Sequence, residues 1–318
     1  MKARLLLVTA TLTLLANGAV RADGGFATRD LNPLLQPIYL PTLATFNPND
    51  GWKIDHSLYI TNTEQDETSG DERLQIDVEN YRYELGLRLR QDNGLMRLEL
   101  PYVDNSEGAL DSTIDSWHDF WGLPEGDRDK FENDDINLRY RNNGESLHDQ
   151  DGPSSGVGDI SLALGYQATD SLAWFAGIEL PTGDPDDLTG NDEIDTALWL
   201  TSQSLPDDEI GIFGLFGVSF PGDGDYLGGR VEDQIWVAQA GLDYRFTPTV
   251  IGTFQFDMHS STVKNSDLDA FGNSMQIQLG LGFLRLIGEH RVDFFFSEDI
   301  MVGTAPDITF GLRLSRSY

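Results

Sequence analysis

The chain ends on "DITFGLRLSRSY", in which Ile308, Phe310, Leu312, Leu314 and Tyr318 share one parity and Asp307, Thr309, Gly311, Arg313, Ser315 and Ser317 share the other. A period of two belongs to a strand with one greasy face and one wet face. The same alternation recurs upstream. Tyr81, Tyr83, Leu85, Leu87 and Leu89 alternate with Arg82, Glu84, Gly86, Arg88 and Arg90, and Met275, Ile277, Leu279, Leu281 and Phe283 alternate with Gln276, Gln278, Gly280 and Gly282. The pattern predicts about twelve strands, over 52–62, 74–90, 95–103, 157–168, 171–181, 193–204, 209–220, 231–246, 249–262, 273–285, 289–298 and 306–318, with almost no amphipathic helix. Two segments depart from it. "GIFGLFGVSF" is apolar on both parities and "IWVAQAGLDYRF" changes phase near Ala238, which a bulge or a locally packed interior would explain.

The connections sort by parity. Those leading from even to odd strands are tight, as in "QDNG" at 91–94, "TD" at 169–170, "LPDD" at 205–208, "TP" at 247–248 and "IGE" at 287–289. Those leading from odd to even strands, at 63–73, 104–156, 182–192, 221–230, 263–272 and 299–305, are longer and acidic. A soluble sandwich has no reason to sort its loops this way, whereas a membrane barrel has short periplasmic turns and long outer loops. Aromatic residues near the strand ends, among them Trp52, Tyr102, Trp174, Phe220, Tyr244, Phe246 and Tyr318, suit interfacial girdles. The expected fold is therefore all-β: a transmembrane antiparallel β-barrel of about twelve strands, over 52–318, whose greasy face meets lipid. Arg316 falls on the lipid parity, two residues from the end, where its guanidinium can reach headgroups.

The N-terminus agrees with export. Lys2 and Arg4 precede "LLLVTATLTLLANGAV", which falls short of the roughly 20 apolar residues of a spanning helix, and Val20-Arg21-Ala22 follows as a small-residue cleavage pattern. Residues 1–22 read as a signal peptide. The mature chain then carries 18 basic against 53 acidic residues, which excludes nucleic acid as a partner. It has no cysteine, so an exported chain of this length relies on its hydrogen-bonded architecture rather than on disulfides.

Two resemblances add to this reading. The final strand, with Phe310, Leu312 and Leu314 leading to a terminal Tyr318, resembles the C-terminal signal by which the Gram-negative barrel-assembly machinery recognises its substrates, which implies insertion in the outer membrane among its lipids and lipopolysaccharide. The stretches "RDLNPLLQ", "FWGLPEGDRDKF", "GVGDISLALGY" and "ELPTGDPDDLTGNDEID" resemble an uncharacterised proteobacterial family of outer-membrane barrels related to the phenol-degradation-type transporters. That family supplies no activity or functional residues to carry over.

Chemistry is then sought in the lumen. Parity sends Arg82, Glu84, Arg88 and Arg90 inward from one strand and Arg97 and Glu99 from the next, six charges on one wall that form either a charged constriction for a solute or a self-satisfied ion-pair network. In "FQFDMHSST" the residues Asp257, His259 and Ser261 share the inward parity. A His-x-Ser pair on one strand resembles the outer-membrane phospholipase, also a twelve-stranded barrel, so a hydrolase using His259 and Ser261 is a remote alternative, and no catalytic residue is assigned. The loop "LDSTIDSWHDFWGL" carries Leu110, Ile114, Trp117, Phe120 and Trp121 at helical spacings and would form a gate or pack on the rim. The acidic loops lack the alternation of an EF-hand, so no metal and no cofactor is expected. The Pro- and Asn-rich segment 23–51 is no strand and either lies in the periplasm or plugs the lower mouth. The favoured function is a passive or gated channel for small solutes; the alternative is a closed-lumen structural or binding barrel of the envelope.

Overall fold

The computed structural model describes residues 25–44, 46, 49–107, 136–204, 210–301 and 303–318. The expected signal peptide and the segment 110–121, read above as helically spaced, lie outside them. The described strands are β1 (Gly51–Ser69), β2 (Glu72–Gln91), β3 (Gly94–Ser106), β4 (Asn137–Asn142), β5 (Glu145–Gln150), β6 (Ser154–Val157), β7 (Ile160–Thr169), β8 (Leu172–Leu180), β9 (Asp195–Ser204), β10 (Ile210–Phe220), β11 (Ile235–Thr247), β12 (Val250–His259), β13 (Ser274–Ile287), β14 (His290–Asp299) and β15 (Ile308–Ser317). All pair antiparallel in one sheet.

Twelve of them form a closed ring, in the order β1, β2, β3, β7 to β15 and back to β1. Closure comes from the β1–β15 ladder, Lys53 opposite Ser317 through Asn62 opposite Ile308, so no edge is left to hydrocarbon. The other three strands extend the wall beyond the ring. β2 pairs with β3 from Glu79 to Gln91, toward the short turns, and with β4 from Glu72 to Asp77, while β5 lies outside β4 and β6 continues beside β3 at Tyr102 to Asn105. Short turns and the C-terminus gather at one end of the barrel, where the Tyr318 amide donates to the Trp52 carbonyl at 2.8 Å. The longer connections gather at the other.

The expected strands are present with small shifts, and three expectations need correcting. The connection expected over 104–156 is not all loop, since β4, β5 and β6 lie within 137–157 and extend the wall beyond the apolar band. Residues 63–73 are not a loop: β1 and β2 run on as a ladder to Ser69 opposite Glu72, turning at Gly70, whose φ of +57° suits glycine. The polar residues there mark strand beyond the apolar band, not coil. The phase of β11 does not change at Ala238. Ile235, Val237, Gln239 and Asp243 all face in, and the register shift falls later, between Arg245 and Thr247. Ile235 and Val237 are apolar because protein, not water, lies beneath them. The same holds for Phe213 and Leu215 in β10, so the locally packed interior is the correct one of the two explanations.

Burial is inverted relative to a water-soluble fold. Leu164, Leu198 and Phe216 are more than half exposed on the outer face, whereas Gln255, Gln278 and Asp293 are fully buried inside. Trp52, Tyr166, Trp174, Tyr244, Phe246 and Tyr318 ring the outer face at the short-turn end. Phe310 and Leu312 are exposed on this outer face, as is Tyr318. Arg316 pairs with Glu289 at 2.9 Å and lies over the Tyr318 ring, which settles its charge at that girdle.

Inside, β14 and β15 approach the barrel contents closely. Phe295 stacks on Phe26 at 4.2 Å between ring centroids, and its ring occupies the space a Cβ at Gly311 would need. Gly311→Ala is expected to displace that ring and cost about 1–3 kcal/mol, as overpacking does. A lowered urea midpoint of vesicle-reconstituted protein checks it, and an unchanged midpoint would show that the Phe26–Phe295 stack is not held as described.

Candidate functional site

A twelve-strand barrel encloses more space than its own side chains fill. Here residues 25–44 occupy it. This segment begins level with the middle of the barrel, rises beside β12, β13 and β14, turns at 32–38 under the long connections, and returns past β9, β10 and β11 toward the short-turn end. It carries Pro33 and Pro37 and forms no ladder, so its backbone groups need other partners. The wall supplies them from side chains. The amides of Phe26, Tyr39 and Leu43 donate to Gln255 Oε1 (2.8 Å), Asp195 Oδ2 (3.0 Å) and Gln239 Oε1 (2.8 Å). The carbonyls of Ala27, Thr28 and Thr42 accept from Tyr59 Oη (2.9 Å), Gln239 Nε2 (2.9 Å) and Arg97 Nη1 (2.8 Å). Gln239, Gln255 and Gln278 stand on adjacent strands β11, β12 and β13, where each primary amide can both donate and accept, as a neighbouring strand would.

The charged wall is a docking platform. Arg82, Glu84, Arg88, Arg97 and Glu99 are all buried inside the barrel. Arg88 and Arg97 stand directly opposite each other on β2 and β3, and their like charges are offset by separate carboxylates: Asp55 of β1 beside Arg88, and Glu99, which accepts from Arg97 Nε at 2.6 Å. Arg82 lies 3.4 Å from Glu84. Arg29 of the inner segment adds a further cation, 3.8 Å from Glu179 of β8. Asp293 accepts from Arg291 (2.7 Å) and Arg313 (3.0 Å). The arrangement is the ion-pair network rather than an open ring of one sign. Arg90 is not part of it; it is half-buried in a cavity of about 390 Å³ at the short-turn end, with Arg245 and Arg285.

Asp257 and His259 are buried facing the inner segment. Asp257 accepts from Thr28 Oγ1 (3.2 Å) and Gln255 Nε2 (2.9 Å), and His259 Nε2 lies 3.0 Å from Asp30 Oδ2 while its Nδ1 lies 2.8 Å from the Ser260 carbonyl. Ser261 lies beyond the end of β12 and donates to the Phe271 carbonyl at 3.1 Å. No His259–Ser261 hydrogen bond forms, so the geometry of the remote hydrolase alternative is not assembled: His259 is engaged by Asp30 instead.

Toward the long-loop end the chemistry changes. Leu34, Leu35 and Ile38 are fully buried in one apolar cluster with Leu74 and Ile76 of β2, Leu138 and Tyr140 of β4, and Leu188, Leu227, Leu268 and Phe271 of the connections. The Tyr226 hydroxyl donates to the Leu34 carbonyl at 2.8 Å, and burial raises its pKa far above the ordinary value, so it remains a donor at any physiological pH. Arg230 ties the connections together through Glu72, Tyr140 and the carbonyl of Lys264 (2.9 Å). The middle of the barrel is thus polar on most sides, with an apolar stripe of Phe175, Trp199, Phe213 and Leu215 on β8 to β10, and its long-loop end is a dry cap. Between segment and wall in the middle, the cavities beside His259 and beside Glu99 measure only about 10 Å³ each, room for one water at most.

Sequence reasoning identified the charged strand faces but not the glutamine row, Asp195, or Thr28, Asp30 and Asn32 as partners. The available signal was Gln239, Gln255, Gln276 and Gln278 on the inward parity of three adjacent strands, where a water-filled pore has no need of amides.

These features define a class, a closed twelve-strand membrane barrel with an internal plug. The chain belongs to the DUF3187 family, proteins of unknown function, whose model matches residues 3–318. The expectation of an uncharacterised outer-membrane barrel family is met. No curated protein matches the chain. Among solved structures, an outer-membrane channel from Pseudomonas putida F1 is similar in fold, with a TM-score of 0.55 at 14% identity over 89% of this chain and 98% of that one. The toluene transporter TodX of P. putida is more distant, with a TM-score of 0.43 at 12% identity over 85% of this chain and 91% of that one.

The network predicts an asymmetry between two variants. Arg97→Gln strands Glu99 without its cation and is expected to cost roughly 3–5 kcal/mol, whereas Arg97→Met with Glu99→Leu removes both charges and should cost far less. Urea unfolding of the two in vesicles checks this; equal losses would mean that the pair is solvated rather than buried.

Proposed function

We propose that the protein is an outer-membrane channel for small solutes, held closed by its own residues 25–44. The observation that carries this reading is the chemistry of the middle lumen. The polar groups there that hold the plug are side chains water can replace: Gln239, Gln255, Gln278, Asp195, Asp257 and Arg97. With the plug displaced, the wall left behind is largely hydrophilic over β1 to β3 and β11 to β13, as a water-filled pore requires, and carries one apolar stripe, Phe175, Trp199, Phe213 and Leu215, on β8 to β10. The fold shared with an outer-membrane channel supports the same reading.

The apolar cap makes the channel gated rather than passive. Exposing Leu34, Leu35 and Ile38 costs about 1.5–3 kcal/mol each, so at roughly 1.4 kcal/mol per decade the unassisted open population is on the order of 1 in 10³ to 1 in 10⁶. In this account the signal sequence 1–22 exports the chain, Phe310, Leu312, Leu314 and Tyr318 present it to the barrel-assembly machinery, the short turns face the periplasm, and the acidic connections face the lipopolysaccharide side. The closed-lumen structural barrel is the second reading, favoured by the ion pairing of Arg88 and Arg97 and by the cap.

Conductance in planar bilayers separates the two. The wild type should be nearly silent. Deletion of 25–44, or Leu34→Ser with Leu35→Ser and Ile38→Ser, should give discrete openings. Because the chain has no cysteine, Thr28→Cys with Gln278→Cys, joined by a short bifunctional thiol reagent, should silence the triple-serine variant again. Folded variants that remain silent without the plug would establish the structural barrel instead.

A further inference from the structure

Among the described residues the plug leaves a sizeable space unfilled, the cavity of about 390 Å³ at the short-turn end. We propose that it is a binding site for a small organic anion with an apolar body, held by Arg90, Arg245 and Arg285. The first observation is one of pairing. Fourteen arginines lie among the described residues, and eleven of them lie within 4.0 Å of a carboxylate. The three that have no described carboxylate partner are the three that line this cavity, from three separate strands. In a chain with 53 acidic residues and 21 basic ones, cations are easily neutralised, yet among the described residues only Asp170 contributes a carboxylate to this lining. Three guanidiniums facing one space repel one another, and an anion between them turns that repulsion into forked hydrogen bonding.

The second observation is backbone geometry, independent of the charges. Arg245 is at the register shift of β11 against β12, and Arg285 lies within the shift of β13 against β14 at a φ of +61°. Left-handed backbone at a non-glycine residue is uncommon and carries a cost. Bulges re-aim side chains and recur beside functional sites. Two bulges here direct two arginines at the same mouth.

The same cavity also carries an apolar surface. Phe46 and Phe175 stack at 5.8 Å with Leu95 close by, so the cavity offers flat apolar faces as well as charge. Its volume is in the range of small-molecule sites. Because Ala44 and Phe46 are part of its lining, the site exists with the plug in place. The inference therefore does not depend on the plug moving, and binding and conductance can fail separately.

Benzoate is the simplest probe that combines a ring with a carboxylate. Titration calorimetry of the full barrel in dodecyl maltoside should show saturable benzoate binding, at least tenfold tighter than benzyl alcohol and than inorganic phosphate. Arg90→Gln with Arg245→Gln and Arg285→Gln should weaken benzoate at least tenfold while the barrel still shifts on unboiled gels, since removing exposed or half-buried cations strands no described partner. Phe46→Ala, which keeps all three charges, should weaken benzoate and leave phosphate unchanged. The proposal is overturned by absence of saturable benzoate binding, by benzyl alcohol or phosphate binding as tightly, or by the triple variant retaining wild-type affinity.

Discussion

In hydrocarbon an unpaired peptide group is too costly to keep, and the closed ladder from β1 round to β15 follows from that constraint. The same rule applies a second time inside the barrel. A lumen walled by twelve strands is too wide for its side chains to close, and the chain that fills it, residues 25–44, is irregular backbone that must also be satisfied. The wall meets that demand with glutamine amides, the Asp195 carboxylate and an arginine, each matched to a named amide or carbonyl of the plug. The wet parity of the strands is thus wet for two reasons. It carries water-compatible groups, and those groups act as the hydrogen-bonding surface that a neighbouring strand would otherwise provide.

Two kinds of contact hold the plug, and they differ in how they would yield. The hydrogen bonds of the middle lumen are each worth about 0.5–1.5 kcal/mol net, because water replaces them on release. The cap around Leu34, Leu35 and Ile38 has no such substitute and dominates the cost of opening. Anything that favours an open state must act on the cap or on the long connections that build it. The short-turn cavity, by contrast, is accessible without disturbing either, so ligand binding there and gating at the cap are physically separable.

Most of the barrel was legible in the sequence because its information is local: alternation decides the face, and loop length decides the end. The mistakes arose where a second structure covers a strand. Residues 63–73 lost the apolar parity because they stand above the membrane, and Ile235, Val237, Phe213 and Leu215 broke the polar parity because the plug and the connections cover them. The charged residues 82, 84, 88, 97 and 99 could be placed on the inner wall by parity, yet their partners Asp55 and Thr42 come from elements that no periodicity links to them. The separation of Arg90 from that group, and its convergence with Arg245 and Arg285, depends on bulges that leave no mark in the pattern.

The central claim, that the plug is a separable element within a stable polar wall, is tested most directly by native-state hydrogen exchange on the barrel in lipid. The amides of Tyr39 and Leu43, bonded to Asp195 and Gln239 side chains, should exchange through an opening that leaves the β1, β2 and β15 ladder amides fully protected, with a protection lower by several kcal/mol. Exchange of both plug amides only at the rate of the ladder amides, with the same denaturant dependence, would show that plug and wall unfold as one unit and would contradict the account.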